Sequence, residues 1–169
     1  MHVFRRRAAN NFTTMQLRVV NSQHSLDEVL ELLRVCKLPY RDIRLEDNLF
    51  VSYDDNSGTI IGSGGLEFYP PFALLRSVAV RENERGKSIG KQIVGDLLNI
   101  AKENGVHEVY LLTETAHEFF LNRGFRDVAR ENVPSEIKAS SEFSAVCPVS
   151  ASVMVWQIAE EDIGFVHRK

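Results

Sequence analysis

"LRSVAVRENERGKSIGKQIV", residues 75–94, decides how this chain is read. Its opening is β-rich and closes on the small-residue run Val78-Ala79-Val80, while its end starts an apolar repeat of helical period. Between the two lie Gly86, Ser88 and Gly90 among the cations Arg81, Arg85, Lys87 and Lys91. A strand that feeds a glycine-containing turn and then a helix aims unsatisfied backbone N–H groups, and the positive end of a helix dipole, at one small volume. That volume suits a phosphate. Gly86 and Gly90 let the backbone come close, and Arg85, Lys87 and Lys91 can add charge-assisted contacts worth about 1.5–3 kcal/mol each.

Two familiar phosphate loops fit poorly. Gly86-Lys87-Ser88 matches the end of a GxxxxGK[ST] loop, but the first glycine of that pattern is missing. A dinucleotide fingerprint would open an early βαβ unit, whereas this turn comes mid-chain after hairpin signals. An exposed turn whose cations are merely solvated is the plainer alternative.

The rest of the chain bounds the answer. At 169 residues, 44% hydrophobic and 25% charged, it is long enough for one domain with a sizeable core. A net charge of −3 offers no general electrostatic reason to bind nucleic acid, so anion affinity must be local. No run approaches the roughly 20 apolar residues of a membrane span, and a cytoplasmic setting is expected. Cys36 and Cys147 have no metal-ligand spacing and read as reduced, buried thiols; no metal site is expected. Arg5, Arg6, Arg7 and Arg18 precede the first acid, Asp27, which is a transit-peptide composition without a clear amphipathic arginine pattern. Residues 1–14 are therefore read as a flexible leader, 15–158 as the folded domain and 159–169 as a tail.

Along the domain, 15–20 reads as a strand, and Ser25 with Glu28 forms a capping-box pattern before an apolar stripe at Leu26, Val29, Leu30, Leu32, Leu33 and Cys36. Residues 42–48 read as a short helical turn. "DDNSG", 54–58, supplies hairpin chemistry between strands at 49–53 and 59–69. A strand at 73–80 leads into a helix over 88–104 with Gly105 as its stop signal. A strand at 108–113, a helix over 115–123, a strand at 125–131, a helical turn within 135–143 and a strand at 150–158 complete a mixed α/β system of about seven strands and four helices.

The opening stretch resembles the acetyl-CoA motif of the GNAT superfamily of N-acetyltransferases, a "VAV" strand end leading into R-G-x-G-x-G and a long helix. Here that pattern reads Arg85-Gly86-Lys87-Ser88-Ile89-Gly90, with Ser88 in place of the middle glycine. "LLTETAHEFFLNRGF", 111–125, resembles the second cofactor segment, A-x-x-F-[FY]-x-x-x-G-F, at Ala116, Phe119, Phe120, Gly124 and Phe125. The resemblance implies a single GNAT-like α/β (α+β) domain whose mostly antiparallel sheet splays between the strands at 74–80 and 108–113. It implies acetyl-CoA as cofactor: pantetheine on the main chain of Val78, Ala79 and Val80, pyrophosphate on Arg85, Gly86, Lys87, Ser88, Ile89, Gly90 and Lys91, and Phe119 and Phe120 along the arm.

The implied reaction joins a neutral amine to a thioester carbonyl, so it needs an oxyanion donor, a base and a route for the thiolate. The Val78 N–H is read as the donor, and Glu67 and Glu114 as candidate bases. Phe120 stands where many relatives carry a sulfur-protonating tyrosine, leaving unassisted departure, Ser77, Thr113 or a water. His117 is read as a titrating residue or as a helix-start histidine.

"YLLTETAHEFFLNRGF", "VPSEI" and "FSAVCPVSASVMVW" are most similar to the N-acetylglutamate-synthase-like group, above all the small amino-acid N-acetyltransferases encoded with arsenic-resistance genes. The implied acceptor is a small amino acid or an organoarsenical or phosphinic analogue. Glutamate itself is disfavoured, because Glu114 and the 149–153 segment lack the group's cations. Arg76 is read as a carboxylate clamp or as a salt-bridge partner, with Ser77, Thr113 and Ser150 as further acceptor contacts. A CoA-binding regulatory module without turnover and a peptide or protein N-acetyltransferase are the alternatives. The expected partner is a small-molecule amine, with no nucleic acid or membrane and a homodimer left open.

Overall fold

The computed structural model describes residues 15–46, 48–146 and 148–159. The proposed leader 1–14, Cys147 and nearly all of the proposed tail fall outside those residues.

Seven strands form one mixed sheet: β1 (Gln16–Val19), β2 (Asn48–Asp54), β3 (Ile60–Tyr69), β4 (Phe72–Val80), β5 (Glu108–Thr113), β6 (Arg126–Asp127) and β7 (Ser152–Gln157), in the order β1-β2-β3-β4-β5-β7-β6. The helices are α1 (Gln23–Val35), α2 (Ile89–Glu103), α3 (His117–Leu121) and α4 (Ser135–Lys138), followed by a π-helical turn at Glu142–Val146. β1 pairs antiparallel with β2, from Gln16 opposite Asp54 to Val19 opposite Val51. β5 and β7 share a six-pair antiparallel ladder from Glu108–Gln157 to Thr113–Ser152. β4 and β5 are parallel, as the long α2 crossover requires, and are in register at Phe72–Glu108, Ala73–Val109 and Leu74–Tyr110.

Local chemistry explains the boundaries. α1 starts a turn earlier than the Ser25–Glu28 pattern suggests, because Ser22 is the cap: its hydroxyl accepts from the Ser25 N–H, and the Ser25 hydroxyl accepts from the Ser22 N–H in return. α2 ends where Gly105, at φ +75°, sends its N–H to Lys102 while Val106 N–H reaches Ala101, a Schellman ending. Gly124, at φ +88°, closes α3 with the same pair of bonds, to Leu121 and from Phe125 to Phe120. The strand expected at 125–131 is cut to Arg126–Asp127 with one further bond from Val128 N–H to Val153, since Arg130 then enters a 3₁₀ turn. Residues 42–46 form turns, not the expected helix; Ile43 there is buried and anchors the segment to the core.

The fold packs as two units, each with its own core. One comprises the chain up to Gly65 together with Ser77–Ile93. Its core sets Leu26, Val29, Leu32 and Leu33 of α1 against Val20, Ile43, Phe50, Ile60 and Ala79. In this unit Gly62 has no room for a side chain: a Cβ would stand 2.8 Å from the Ile93 Cδ1 of α2 and 3.3 Å from the Ala79 carbonyl. The other unit comprises Leu66–Arg76 and the chain from Val94. Its core joins Leu74, Tyr110, Leu112, Val153 and Val155 of the strands to Val133, Ile137 and Ala151. Burial of each large aliphatic side chain contributes about 1.5–3 kcal/mol.

Candidate functional site

The turn before α2 has the backbone that its sequence demands. Gly86 has φ +80° and nothing within 4 Å of where a Cβ would point, and Ser88 has φ +62°. A left-handed serine costs about 1–2 kcal/mol relative to extended or helical backbone, so the turn holds Ser88 there against its preference. Gln92 N–H returns to the Ser88 carbonyl at 3.1 Å as the first rung of the helix. The amides of the preceding residues have no intrahelical partner by geometry, and Arg85, Gly86, Lys87, Ser88 and Lys91 are all exposed. Ile89 is buried and ties the helix start to the core; Gly90 is half-buried.

The cations divide. Arg85 folds back, its Nε donating to the Val80 carbonyl at 3.0 Å, with Nη2 3.9 Å from the Cys36 sulfur. Lys87 pairs with Glu84 at 2.8 Å. These contacts stiffen the turn from outside. Left-handed, exposed backbone at Gly86 and Ser88 with cations beside it is the chemistry an anion site requires.

Upstream, β4 runs through Ser77, a non-glycine residue at φ +59° whose carbonyl accepts the Ser63 hydroxyl at 3.0 Å. Val78 and Val80 are half-buried and Ala79 is buried. This left-handed residue falls one before Val78, the residue read as the oxyanion donor.

In the second unit, Phe120 is buried and meets Phe119 and Phe125 edge-on, with ring centroids at 5.0 and 5.5 Å. Arg123 lies over the half-exposed Phe119 ring at 5.1 Å. Thr113 Oγ1 accepts the Ala116 N–H at 3.0 Å, which leaves its own proton to donate. Glu114 is exposed. His117 Nε2 pairs with Asp127 at 2.8 Å at the start of α3. Ser150 is exposed on the turn Pro148–Ala151, both of whose end carbonyls accept Arg130 Nη2 at 3.0 Å while that guanidinium covers the Phe143 ring.

The strongest electrostatic feature of this unit is a buried cluster. Arg76 Nη1 donates to Glu67 Oε1 at 2.6 Å, the Tyr69 hydroxyl donates to Glu67 Oε2 at 2.6 Å, and Arg76 Nε stands 3.6 Å from Glu142 Oε2. Arg76 is 3% exposed and the two glutamates 6% each. Of the two uses read for Arg76, the salt bridge is the one seen. A guanidinium so held orients Glu67; a carboxylate with each oxygen accepting one hydrogen bond still has lone pairs for a third.

The sequence model of the Acetyltransferase (GNAT) family matches residues 16–125, from β1 to Phe125. The chain belongs to the GNAT acetyltransferase family. An uncharacterized N-acetyltransferase of Chlorobaculum tepidum is 36% identical over 84 residues, 49% of this chain and 54% of that protein. An amino-acid acetyltransferase of Mycobacterium tuberculosis is 32% identical over 108 residues, 56% of this chain and 61% of that protein. The chain thus spans little more than half the length of these curated relatives. Among solved structures, Neisseria gonorrhoeae N-acetylglutamate synthase complexed with coenzyme A and N-acetyl-glutamate superposes with a TM-score of 0.74 over 90% of this chain and 36% of that one, at 15% identity, a likeness of fold.

Within this GNAT domain, sequence reasoning missed Tyr69 and Glu142. Tyr69 was within reach, because Glu67 and Tyr69 are two apart on a strand and share a face. Glu142 carried no such signal, since it lies 66 residues past Arg76 (142 − 76) on an irregular turn.

Proposed function

We propose that the chain is an acetyl-CoA-dependent N-acetyltransferase whose acceptor is the amino group of a small amino acid or of an amino-acid analogue. The observation that carries this reading is the turn at Arg85–Lys91, where Gly86 and Ser88 are left-handed and exposed and no atom of the described residues beyond its chain neighbours lies within 4 Å of a Cβ at Gly86. Residues Arg85, Gly86, Lys87, Ser88, Ile89, Gly90 and Lys91 would hold the diphosphate, and the main chain of Val78, Ala79 and Val80 the pantetheine arm. Bound there, acetyl-CoA supplies an activated acetyl thioester.

The remaining work falls to the chain's own groups. Val78 N–H faces developing negative charge on the acyl oxygen. Glu67, held by Arg76 and Tyr69, takes the amine proton directly or through a water, in preference to the exposed Glu114, because its orientation is fixed. With Phe120 unable to donate, Thr113 or Ser77 is the hydroxyl nearest in role to the missing tyrosine. Arg76, occupied by two carboxylates, is assigned to Glu67, and the acceptor's carboxylate to Ser150 and the turn that Arg130 pins. The homologues named amino-acid acetyltransferase favour a free amino acid, and the lack of cations at 114 and 149–153 favours one other than glutamate. A cytoplasmic location, where acetyl-CoA is made and used, fits this reading; among the described residues no helix is long and apolar enough to cross a membrane.

One observation favours a second reading. Phe120 in place of the tyrosine suits a CoA-binding module without turnover. A panel of amino acids, phosphinic analogues and polyamines, with detection of free thiol from acetyl-CoA, separates the two. Thiol release only with an amino-acid acceptor supports the enzyme. Tight CoA binding with no release across the panel supports the module.

A further inference from the structure

Glu142 has no part in the proton transfer assigned to Glu67, yet it is buried against the same guanidinium that holds that base. It sits on the π-helical turn Glu142–Val146, and turns of this kind recur at functional sites. Its Oε2 lies 3.6 Å from Arg76 Nε, on a different edge of the guanidinium from Nη1, which donates to Glu67. Among the described residues, the titratable and charged groups that face Glu67 include Tyr69 on its own strand, Arg76 on β4 and, through Arg76, Glu142 on the π turn.

Buried ion pairs are often no better than apolar packing, so stability alone does not account for Glu142 beside Arg76. Catalysis gives it a use. A guanidinium held by carboxylates on two edges has one orientation, so the carboxylate it hydrogen-bonds has one as well.

We propose that Glu142 is a positioning residue for amine deprotonation: from the π turn its carboxylate pairs with Arg76 and so keeps Glu67 placed as proton acceptor. In that step the amine nitrogen gives one proton to a Glu67 oxygen and keeps its electron pair for the acyl carbon; nothing is oxidised or reduced. The proposal rests on the reading of Glu67 as the base.

Glu142→Gln tests it, because the amide keeps shape and an acceptor oxygen but loses the charge. With acetyl-CoA and the best amino acid of the panel, kcat is expected to fall about tenfold while KM for both substrates stays within about twofold. Glu142→Asp, which restores the charge on a side chain one methylene too short, is expected to bring kcat back to about threefold below the native chain. Wild-type kcat in Glu142→Gln, or loss through KM alone, overturns the proposal. If Glu142→Gln does not fold, Glu142→Asp decides: a kcat reduced about threefold at unchanged KM supports the role, and kcat at the wild-type level rejects it. Glu67→Gln is the control for the underlying reading. Should it keep full kcat, Glu67 is not the base and that reading fails first; a panel with no turnover for the native chain fails it too.

Discussion

Arg76 Nη1 stands 2.6 Å from Glu67 Oε1, and the two side chains are only 1% and 8% exposed. Taking one partner from such a pair leaves a buried charge with nothing to balance it. Arg76→Met is therefore expected to lose about 3–5 kcal/mol in urea denaturation, and the double variant Glu67→Gln/Arg76→Met to lose less than Arg76→Met alone. A loss below about 1 kcal/mol would show that the pair contributes little.

The turn before α2 and the helix itself make opposite demands of two glycines. Gly86 is left-handed with open space over it, so Gly86→Val places a β-branched side chain in a strained backbone and in the volume assigned to the diphosphate. CoA affinity measured by calorimetric titration should fall at least about tenfold, equivalent to about 1.4 kcal/mol. Gly95, exposed in mid-helix with nothing near its Cβ position, should behave in the opposite way. Gly95→Ala is expected to gain about 0.8–1 kcal/mol of stability with CoA binding unchanged.

Asp54 predicts a pH dependence. Burial lifts its carboxyl above the ordinary 3.8, against the opposing pull of Arg18. The fold then holds a proton that the unfolded chain has released, so stability falls as pH rises from 3.8 through the raised folded value. Asp54→Asn should match the native chain below pH 3.8 and exceed it at neutral pH. Thermal melts across that range check the sign; a less stable Asp54→Asn at neutral pH would mean that the Arg18 pair outweighs burial.

The reciprocal cap of α1 should be cooperative. Ser22→Ala is expected to cost about 1 kcal/mol. Because Ser25 both receives and returns the bond, Ser22→Ala/Ser25→Ala should cost less than the sum of the single changes. Chemical denaturation of the three variants measures the difference.

Local patterns carried most of this architecture. Alternation and apolar runs marked all seven strands, and the glycines at 105 and 124 marked helix ends, because these signals act over a few residues. Where two patterns competed nearby, the boundary moved: Ser22 and Ser25 both suit a cap, and the chain uses the earlier one to gain a turn of helix. Arg126–Asp127 stayed short because the next turn is set by Arg130 reaching carbonyls some twenty residues away, a constraint that no window of sequence contains.

From residues alone came the family, the seven-strand mixed sheet and the glycine turn before α2, since each depends on backbone geometry that neighbouring residues dictate. Tertiary packing alone decided that Arg76 faces two glutamates. It could decide this because a buried charge is stable only beside its counter-charge, and the residue supplying that charge is chosen by the fold in three dimensions, without regard to distance along the chain.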